Sequence, residues 1–253
     1  MEDRLLRAVN ATGFGPMGTG GDTTALAVHV DYASGHGYTP VAVCFNCWIN
    51  RRIRMPMSRE DARSLRAGDM ILLDGEIIIT AGLPTVQRLV ACAEDGRAPP
   101  IALDGGSLLH LGSYSQDTAD GGLEILYMNP TTSTRFNALM PRLIRHFGLT
   151  AVGGKGGLDA GCVAAMAEVG CVYLSFLGGG APLHSSAITA VREVAYPDLV
   201  AHYRLVRLAV SGLGPVTVGI DAHGNSLFDS LQAEAQQRMP GILEALAASR
   251  AAG

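Results

Sequence analysis

Asn129-Pro130-Thr131-Thr132-Ser133-Thr134-Arg135 stands between a short apolar run at residues 125–128 and a helical pattern at 134–147. A strand, a loop of hydroxyls and a helix in that order make the βα step of a mixed fold. Gly148 then follows, a glycine placed for a left-handed helix cap. The same step repeats downstream. Residues 151–153 read as a strand, 158–169 as a helix and 172–176 as a buried strand, followed by Gly178-Gly179-Gly180. This alternation predicts an α/β (α+β) fold.

Working outward, residues 70–73 and 76–80 read as two strands joined at Asp74-Gly75, a hairpin signal. Residues 84–94 read as a helix with Pro84 in its first turn. Residues 205–210 and 216–221 read as another strand pair, and 226–238 and 241–251 as two helices. Toward the N-terminus lie a short helix at 4–12, a glycine-rich run at 13–24 and β-like stretches at 25–31 and 40–45. Residues 51–61 are basic, rich in methionine and interrupted by Pro56, which predicts a connector. The expected domains are therefore 1–58 and 59–253. The first is too short to bury a good core alone, so it is expected to complete a larger domain made by another chain.

Composition narrows the function. Of 253 residues, 48% are hydrophobic and 17% charged, with a net charge of -4, which excludes a disordered chain and a nucleic-acid binder driven by phosphate neutralisation. No run has the length and apolarity of a membrane helix. Met1-Glu2-Asp3-Arg4 is not the start of a signal peptide, so a cytoplasmic protein is expected. Five cysteines, an odd count, argue against a disulfide framework.

Five features invite a chemical reading. Gly15 and Gly20 have phosphate-loop spacing, but Gly21 and Asp22 stand where a lysine and a hydroxyl belong, and a carboxylate repels phosphate. Cys44-Phe45-Asn46-Cys47 is a redox pair, half of a zinc site, two buried thiols or one ligand of a cluster completed elsewhere. The hydroxyls of residues 131–134 with Arg135 suit an anion at a helix start, whereas a simple cap needs only one hydroxyl. Gly153-Gly154-Lys155-Gly156-Gly157 holds the chain's single lysine among four glycines, which favours a ligand-facing role over a merely solvated one. His36, between Gly35 and Gly37, is a turn histidine within reach for proton transfer.

Taken together these stretches resemble class I fumarases and L-tartrate dehydratases. Gly15-Pro16-Met17-Gly18-Thr19-Gly20-Gly21, Pro40-Val41-Ala42-Val43 and Cys47-Trp48-Ile49-Asn50-Arg51-Arg52 resemble the end of their α part. Leu65-Arg66-Ala67-Gly68-Asp69, Pro130-Thr131-Thr132 with Arg135, Gly154-Lys155-Gly156, Leu177-Gly178-Gly179-Gly180-Ala181, Tyr196-Pro197-Asp198-Leu199 and Asp221 with Gly224-Asn225 resemble their β part. The resemblance implies a swivelling three-layer β/β/α domain and an oxygen-sensitive hydro-lyase with a four-iron four-sulfur cluster. It implies that Cys47 is one of three cluster cysteines, and that a cluster-bearing α-type partner chain supplies the other two. The implied assembly is a heterodimer or heterotetramer acting on a small carboxylic acid, without nucleic acid or membrane. Thr131 matches the proton-abstracting base, Thr132 and Arg135 the carboxylate contacts, Lys155 the active-site lysine and His36 a catalytic histidine.

The departures shape the expected substrate. Gly82 and Val86 stand where the family carries an arginine and a histidine, Phe136-Asn137 replaces Met-Asp, and Asp22 replaces a common lysine. Losing a charged hydrogen-bond clamp costs roughly 1.5–3 kcal/mol, or about ten- to a hundredfold in affinity. The expectation is a hydroxy acid, or its unsaturated counterpart, with one carboxylate and a bulkier or neutral second end accommodated near a roomier Gly82, in place of fumarate or tartrate. A non-catalytic stabilising or regulatory subunit is the alternative.

Overall fold

The computed structural model describes residues 51–119 and 123–251. His36 and Cys47, and the expected domain 1–58 up to Asn50, lie outside the described residues. The chain divides at Asn50/Arg51, and the unit from Arg51 onward holds every described residue.

Its strands are β1 (Arg51–Met55), β2 (Met70–Ile79), β3 (Ser107–Leu109), β4 (Leu111–Asp117), β5 (Leu123–Pro130), β6 (Ala151–Gly154), β7 (Val172–Ser175), β8 (Ile188–Ala195) and β9 (Leu205–Ile220). Its helices are α1 (Arg59–Ser64), α2 (Leu83–Glu94), α3 (Met140–Phe147), α4 (Ala160–Val169), α5 (Ala181–Ser186) and α6 (Leu227–Ala251). Short 3-10 turns cover Ser133–Phe136 and Ala201–Tyr203. The mixed α/β class expected from the sequence is the one observed.

Seven strands form one sheet in the order β1-β2-β3-β6-β7-β9-β8, and β2 also pairs with β9. That extra pairing closes β2, β3, β6, β7 and β9 into a ring. Alternate residues of these strands serve two cores, as a pleated strand requires. Leu109, Ala151, Val172, Leu174, Val206 and Leu208 join one core with Ile71, Leu73 and Ile77. Leu108, Val152, Tyr173 and Ile220 join a second, against Val86 and Leu89 of α2, Leu143 and Phe147 of α3, and Cys162 and Met166 of α4. The hairpin β4–β5 forms a separate two-stranded sheet.

Several local readings change. Residues 51–55, expected in a connector, form β1, parallel to β2 in the register Arg51↔Ile71 through Met55↔Gly75. Ile53 and Met55 are buried while Arg52 and Arg54 are exposed, so the alternation of a half-buried strand was present under the basic composition.

Asp74-Gly75 is no hairpin, because β2 runs straight through it. Gly75 takes φ +108, and a Cβ there would lie 2.3 Å from the Met55 carbonyl oxygen. The glycine thus serves the close approach of β1, and the ladder to β9 shifts register at this point. Residues 205–210 and 216–221 are likewise one strand, β9, which bends through Gly212 and Gly214, both at positive φ. The two C-terminal helices are one, α6, with Pro240 inside it. The helix expected at 134–147 is split into the 3-10 turn and α3, whose first turn contains Pro141. Gly148 caps α3 at φ +56, as the sequence predicted.

Candidate active site

Strands β2, β3, β6 and β7 run parallel, so their carboxyl ends share one edge. In α/β sheets that edge is where loops collect ligands. Thr80 follows β2, His110 follows β3, Lys155 follows β6 and Phe176 follows β7.

The hydroxyl loop reaches the same edge from β5. The Thr131 amide donates to the His110 carbonyl at 2.9 Å, and the His110 amide to the Gly153 carbonyl at 2.6 Å. Lys155 then makes a one-residue parallel bridge with Thr132. Its amide donates to the Thr131 carbonyl at 3.0 Å, and its carbonyl accepts from the Ser133 amide at 2.8 Å. A bridge of this kind sets the two side chains beside each other on one face. Thr131, Thr132 and Lys155 are therefore brought together.

Gly154 makes this approach possible. A Cβ on it would lie 2.4 Å from Ser133 Oγ and 3.0 Å from both His110 Cβ and the Thr131 carbonyl oxygen. On the far side, Phe176 donates its amide to the Gly154 carbonyl at 2.8 Å. A Cβ on Gly178 would stand 3.7 Å from Lys155 Cδ, so the glycine run borders the lysine stem.

Arg135 lies in the 3-10 turn that buried Phe136 anchors, and is exposed. Among the described residues, neither Arg135 nor Lys155 has an ion-pair or side-chain hydrogen-bond partner. Lys155, beside the Thr132 hydroxyl and without a counter-ion among the described residues, has the chemistry to hold a small anion. The sequence placed this anion at a helix start, but Thr132 caps nothing through its side chain and α3 begins only at Met140. The anion expected at a helix start would therefore meet side chains here and no helix terminus.

Beneath the loop lies a group the sequence reading did not single out. Ser133, His110 and Tyr173 are all fully buried. Tyr173 Oη donates to Ser133 Oγ at 2.9 Å, and Ser133 Oγ lies 2.9 Å from His110 Nδ1. The Gly157 amide donates to Tyr173 Oη at 3.2 Å. Burial pushes the His110 imidazole down to about 3 and the Tyr173 phenol up to about 12, so both are neutral at ordinary pH. The available signal was a histidine inside the apolar run Leu108-Leu109-His110-Leu111.

The region around Gly82 is not roomy. A Cβ on Gly82 would lie 2.7 to 2.9 Å from Cβ, Cα and the carbonyl oxygen of Tyr203. That segment is fixed by the Ala81 amide on the His202 carbonyl at 3.0 Å and by Thr80 Oγ1 on the Tyr203 carbonyl at 3.0 Å. Thr85 Oγ1 donates to the same Tyr203 carbonyl. Val86 is buried in the second core. Tyr203 thus fills the space at Gly82 that was expected to be roomy, and Val86 packs into the core.

Other quoted stretches brace the fold. Arg88 pairs bidentately with Asp198 at 2.9 and 2.6 Å and lies over the Tyr196 ring at 5.0 Å. Asp221 accepts from the amides of His223, Asn225 and Ala67 and from the Asn225 side chain.

The described residues do not form a metal centre. No group of three or more His, Cys, Asp or Glu stands together among them. Cys92, Cys162 and Cys171 are buried, and burial pushes the Cys162 thiol up to about 12 and Cys171 upward as well. The Cys162 and Cys171 thiols therefore do not ionise readily to become iron ligands. No helix among the described residues is long and apolar enough to cross a membrane.

The fold is an α/β unit whose hydroxyl and lysine loops meet at the carboxyl ends of parallel strands. Known proteins agree with that class. Residues 46–231 match the family model described as fumarase C-terminus, and residues 1–56 match that of fumarate hydratase. The chain therefore belongs to the fumarase C-terminal family. It is 25% identical over 300 aligned positions to a putative class I fumarate hydratase of Geobacillus stearothermophilus, which covers 96% of this chain but 55% of that relative. It is 29% identical over 202 residues to the L(+)-tartrate dehydratase subunit beta of Escherichia coli K12, covering 78% of this chain and 96% of the relative. A putative L(+)-tartrate dehydratase subunit beta of Methanocaldococcus jannaschii is 26% identical over 188 residues, covering 74% and 95%.

Proposed function

We propose that the chain is the β-type part of a hydro-lyase that adds or removes water next to a carboxylate. The observation that carries this reading is the Thr132–Lys155 bridge, which sets a hydroxyl beside the chain's single lysine at the carboxyl edge. Family membership and the names of the relatives support it.

In this reading Thr132, Arg135 and Lys155 hold the substrate carboxylate. The two cations also stabilise the enolate-like charge that develops when the carbon-bound proton leaves. Thr131, one residue from the bridge, takes that proton, and His36 moves a second one. The described residues offer no iron site, so we assign the four-iron four-sulfur cluster to Cys47 and two cysteines of an α-type partner chain. When bound, it would supply Lewis-acid activation of the leaving hydroxyl. The described unit acts as the swivelling β/β/α domain in a cytoplasmic hetero-oligomer, with residues 1–50 as the tail of the partner's cluster-bearing domain.

Gly82 and Val86 contribute no charge to a second carboxylate. The substrate is accordingly a hydroxy acid, or its unsaturated counterpart, with one carboxylate and a neutral second end. That end cannot sit in the space that Tyr203 fills. The same packing favours a second reading, a stabilising or regulatory subunit without turnover.

Anaerobic co-expression with a cluster-bearing α-type chain tests the proposal. The expected product is a brown complex with about four irons per cluster, lost on Cys47→Ser and kept on Cys44→Ser. In that complex Thr131→Val should lower turnover by roughly 10²- to 10⁴-fold with little change in KM. Full turnover in Thr131→Val removes the base assignment. A colourless complex that turns over no hydroxy acid leaves the non-catalytic reading. Fumarate or L-tartrate turned over at least as fast as any monocarboxylate would sink the single-carboxylate assignment.

A further inference from the structure

We propose that Tyr173, Ser133 and His110 form a buried positioning relay that locks the Thr131–Arg135 loop and the Gly154–Gly157 loop into one register. The proposal deepens the anion-site reading above and rests on it for its functional meaning.

The relay has a direction. The Gly157 amide donates to Tyr173 Oη, and Tyr173 Oη donates to Ser133 Oγ. Ser133 then has one hydrogen to give, and His110 Nδ1 lies 2.9 Å away. Accepting it leaves the imidazole hydrogen on Nε2, which is buried and has no partner among the described residues. An apolar side chain at 110 would avoid that cost, and its neighbours Leu108, Leu109 and Leu111 are apolar. The histidine therefore makes sense through the bond at Nδ1. The ring is also held at 4.3 Å from Phe136, the residue that anchors the turn carrying Arg135.

The relay and the backbone bridge act on the same two segments. Lys155 is tied to Thr131 and Ser133 through its own amide and carbonyl. Two residues on, Gly157 is tied to Tyr173, whose strand β7 pairs with β6. Ser133 and Gly157 thus clamp Lys155 from both sides, while Thr131 and Thr132 keep their hydroxyls free of the relay. None of the three relay side chains is placed against the substrate, so they are positioning residues.

Amide exchange on the full chain tests the relay without any ligand. Tyr173→Phe keeps the ring that packs edge-on to Phe228 and removes only the hydroxyl. The expected result is exchange faster by roughly tenfold at Gly157, Lys155 and Ser133, with α4 and β7 unchanged. His110→Leu should do the same, and His110→Asn, whose amide can replace Nδ1, should restore protection. Unchanged exchange at Gly157 in Tyr173→Phe, or faster exchange spread over the whole unit, overturns the relay.

A second readout connects it to the site. Reductive ¹³C-methylation labels the α-amino group and Lys155, the chain's single lysine. With L-lactate and fumarate as probe anions, the Lys155 signal of the unsubstituted chain should shift, and Tyr173→Phe should need roughly tenfold more anion for the same shift. Equal response in both proteins overturns the relay's role in positioning Lys155. No response of the unsubstituted chain to either probe overturns the anion-site reading instead, while the exchange data alone decide the relay.

Discussion

At the residue scale the site depends on what is absent as much as on what is present. Gly154 lacks the Cβ that would collide with Ser133 Oγ at 2.4 Å and with the Thr131 carbonyl. Gly154→Ala should therefore push the hydroxyl loop away from Lys155, and Ser133 is too well held to yield cheaply. Overpacking of this kind typically costs about 1–3 kcal/mol. The expected outcome is a lowered unfolding midpoint together with loss of the Lys155 response to carboxylates. An alanine variant with both unchanged would show that the loops do not meet as described. Lys155 itself was legible in the sequence, because a single lysine among four glycines is unusual. Ser133 was not, because a serine before a helical pattern reads as a cap.

At the element scale, the presence of a strand was easier to read than whether it continues through a glycine. Asp74-Gly75 carries a hairpin signal, yet Gly75 is spent on admitting β1, and Asp74 ties down Arg52 and the Gly212 amide. The Gly212 amide above all, helped by the Arg52 guanidinium, holds the Asp74 carboxyl below its usual range against the opposing effect of desolvation. Similarly, Gly82 reads as a missing arginine, but the 201–203 turn covers it. Replacing the glycine should not regain a family contact. Gly82→Arg is expected to destabilise by about 1–3 kcal/mol and to leave the preference between one- and two-carboxylate substrates unchanged. Denaturant midpoints and a substrate competition assay check both parts. A stable variant that gains dicarboxylate turnover would mean that the turn can be displaced.

At the scale of the whole molecule, a ring of strands needs its far ends braced. Asp221, just past β9, does this by receiving hydrogen bonds from His223, Asn225 and Ala67. Burial favours its neutral form, but these donors prevail and keep its pKa below the ordinary 3.8. A depressed carboxylate stabilises the fold above its unfolded pKa and loses that contribution as pH falls through the folded value. The acid limb should therefore steepen below about pH 4. Asp221→Ala should cost about 1–3 kcal/mol at pH 7, and the gap from the parent should narrow near pH 3. Urea midpoints at the two pH values measure it, and a gap that does not change with pH counts against this role.

The sequence by itself determined the mixed fold class, the family, and the hydroxyl and lysine loops. Each of those is written locally, as a periodicity or as residues within a few positions of one another. Tertiary structure decided the rest. Closure of the ring through β2 and β9 joins residues more than a hundred positions apart, and such pairing leaves no local trace beyond apolar alternation. The Ser133–His110–Tyr173 relay draws one residue from each of three segments, so its members look unrelated until the strands are laid side by side. The filling of Gly82 by Tyr203 is of the same kind. A glycine announces that something comes close, and only the folded chain says what.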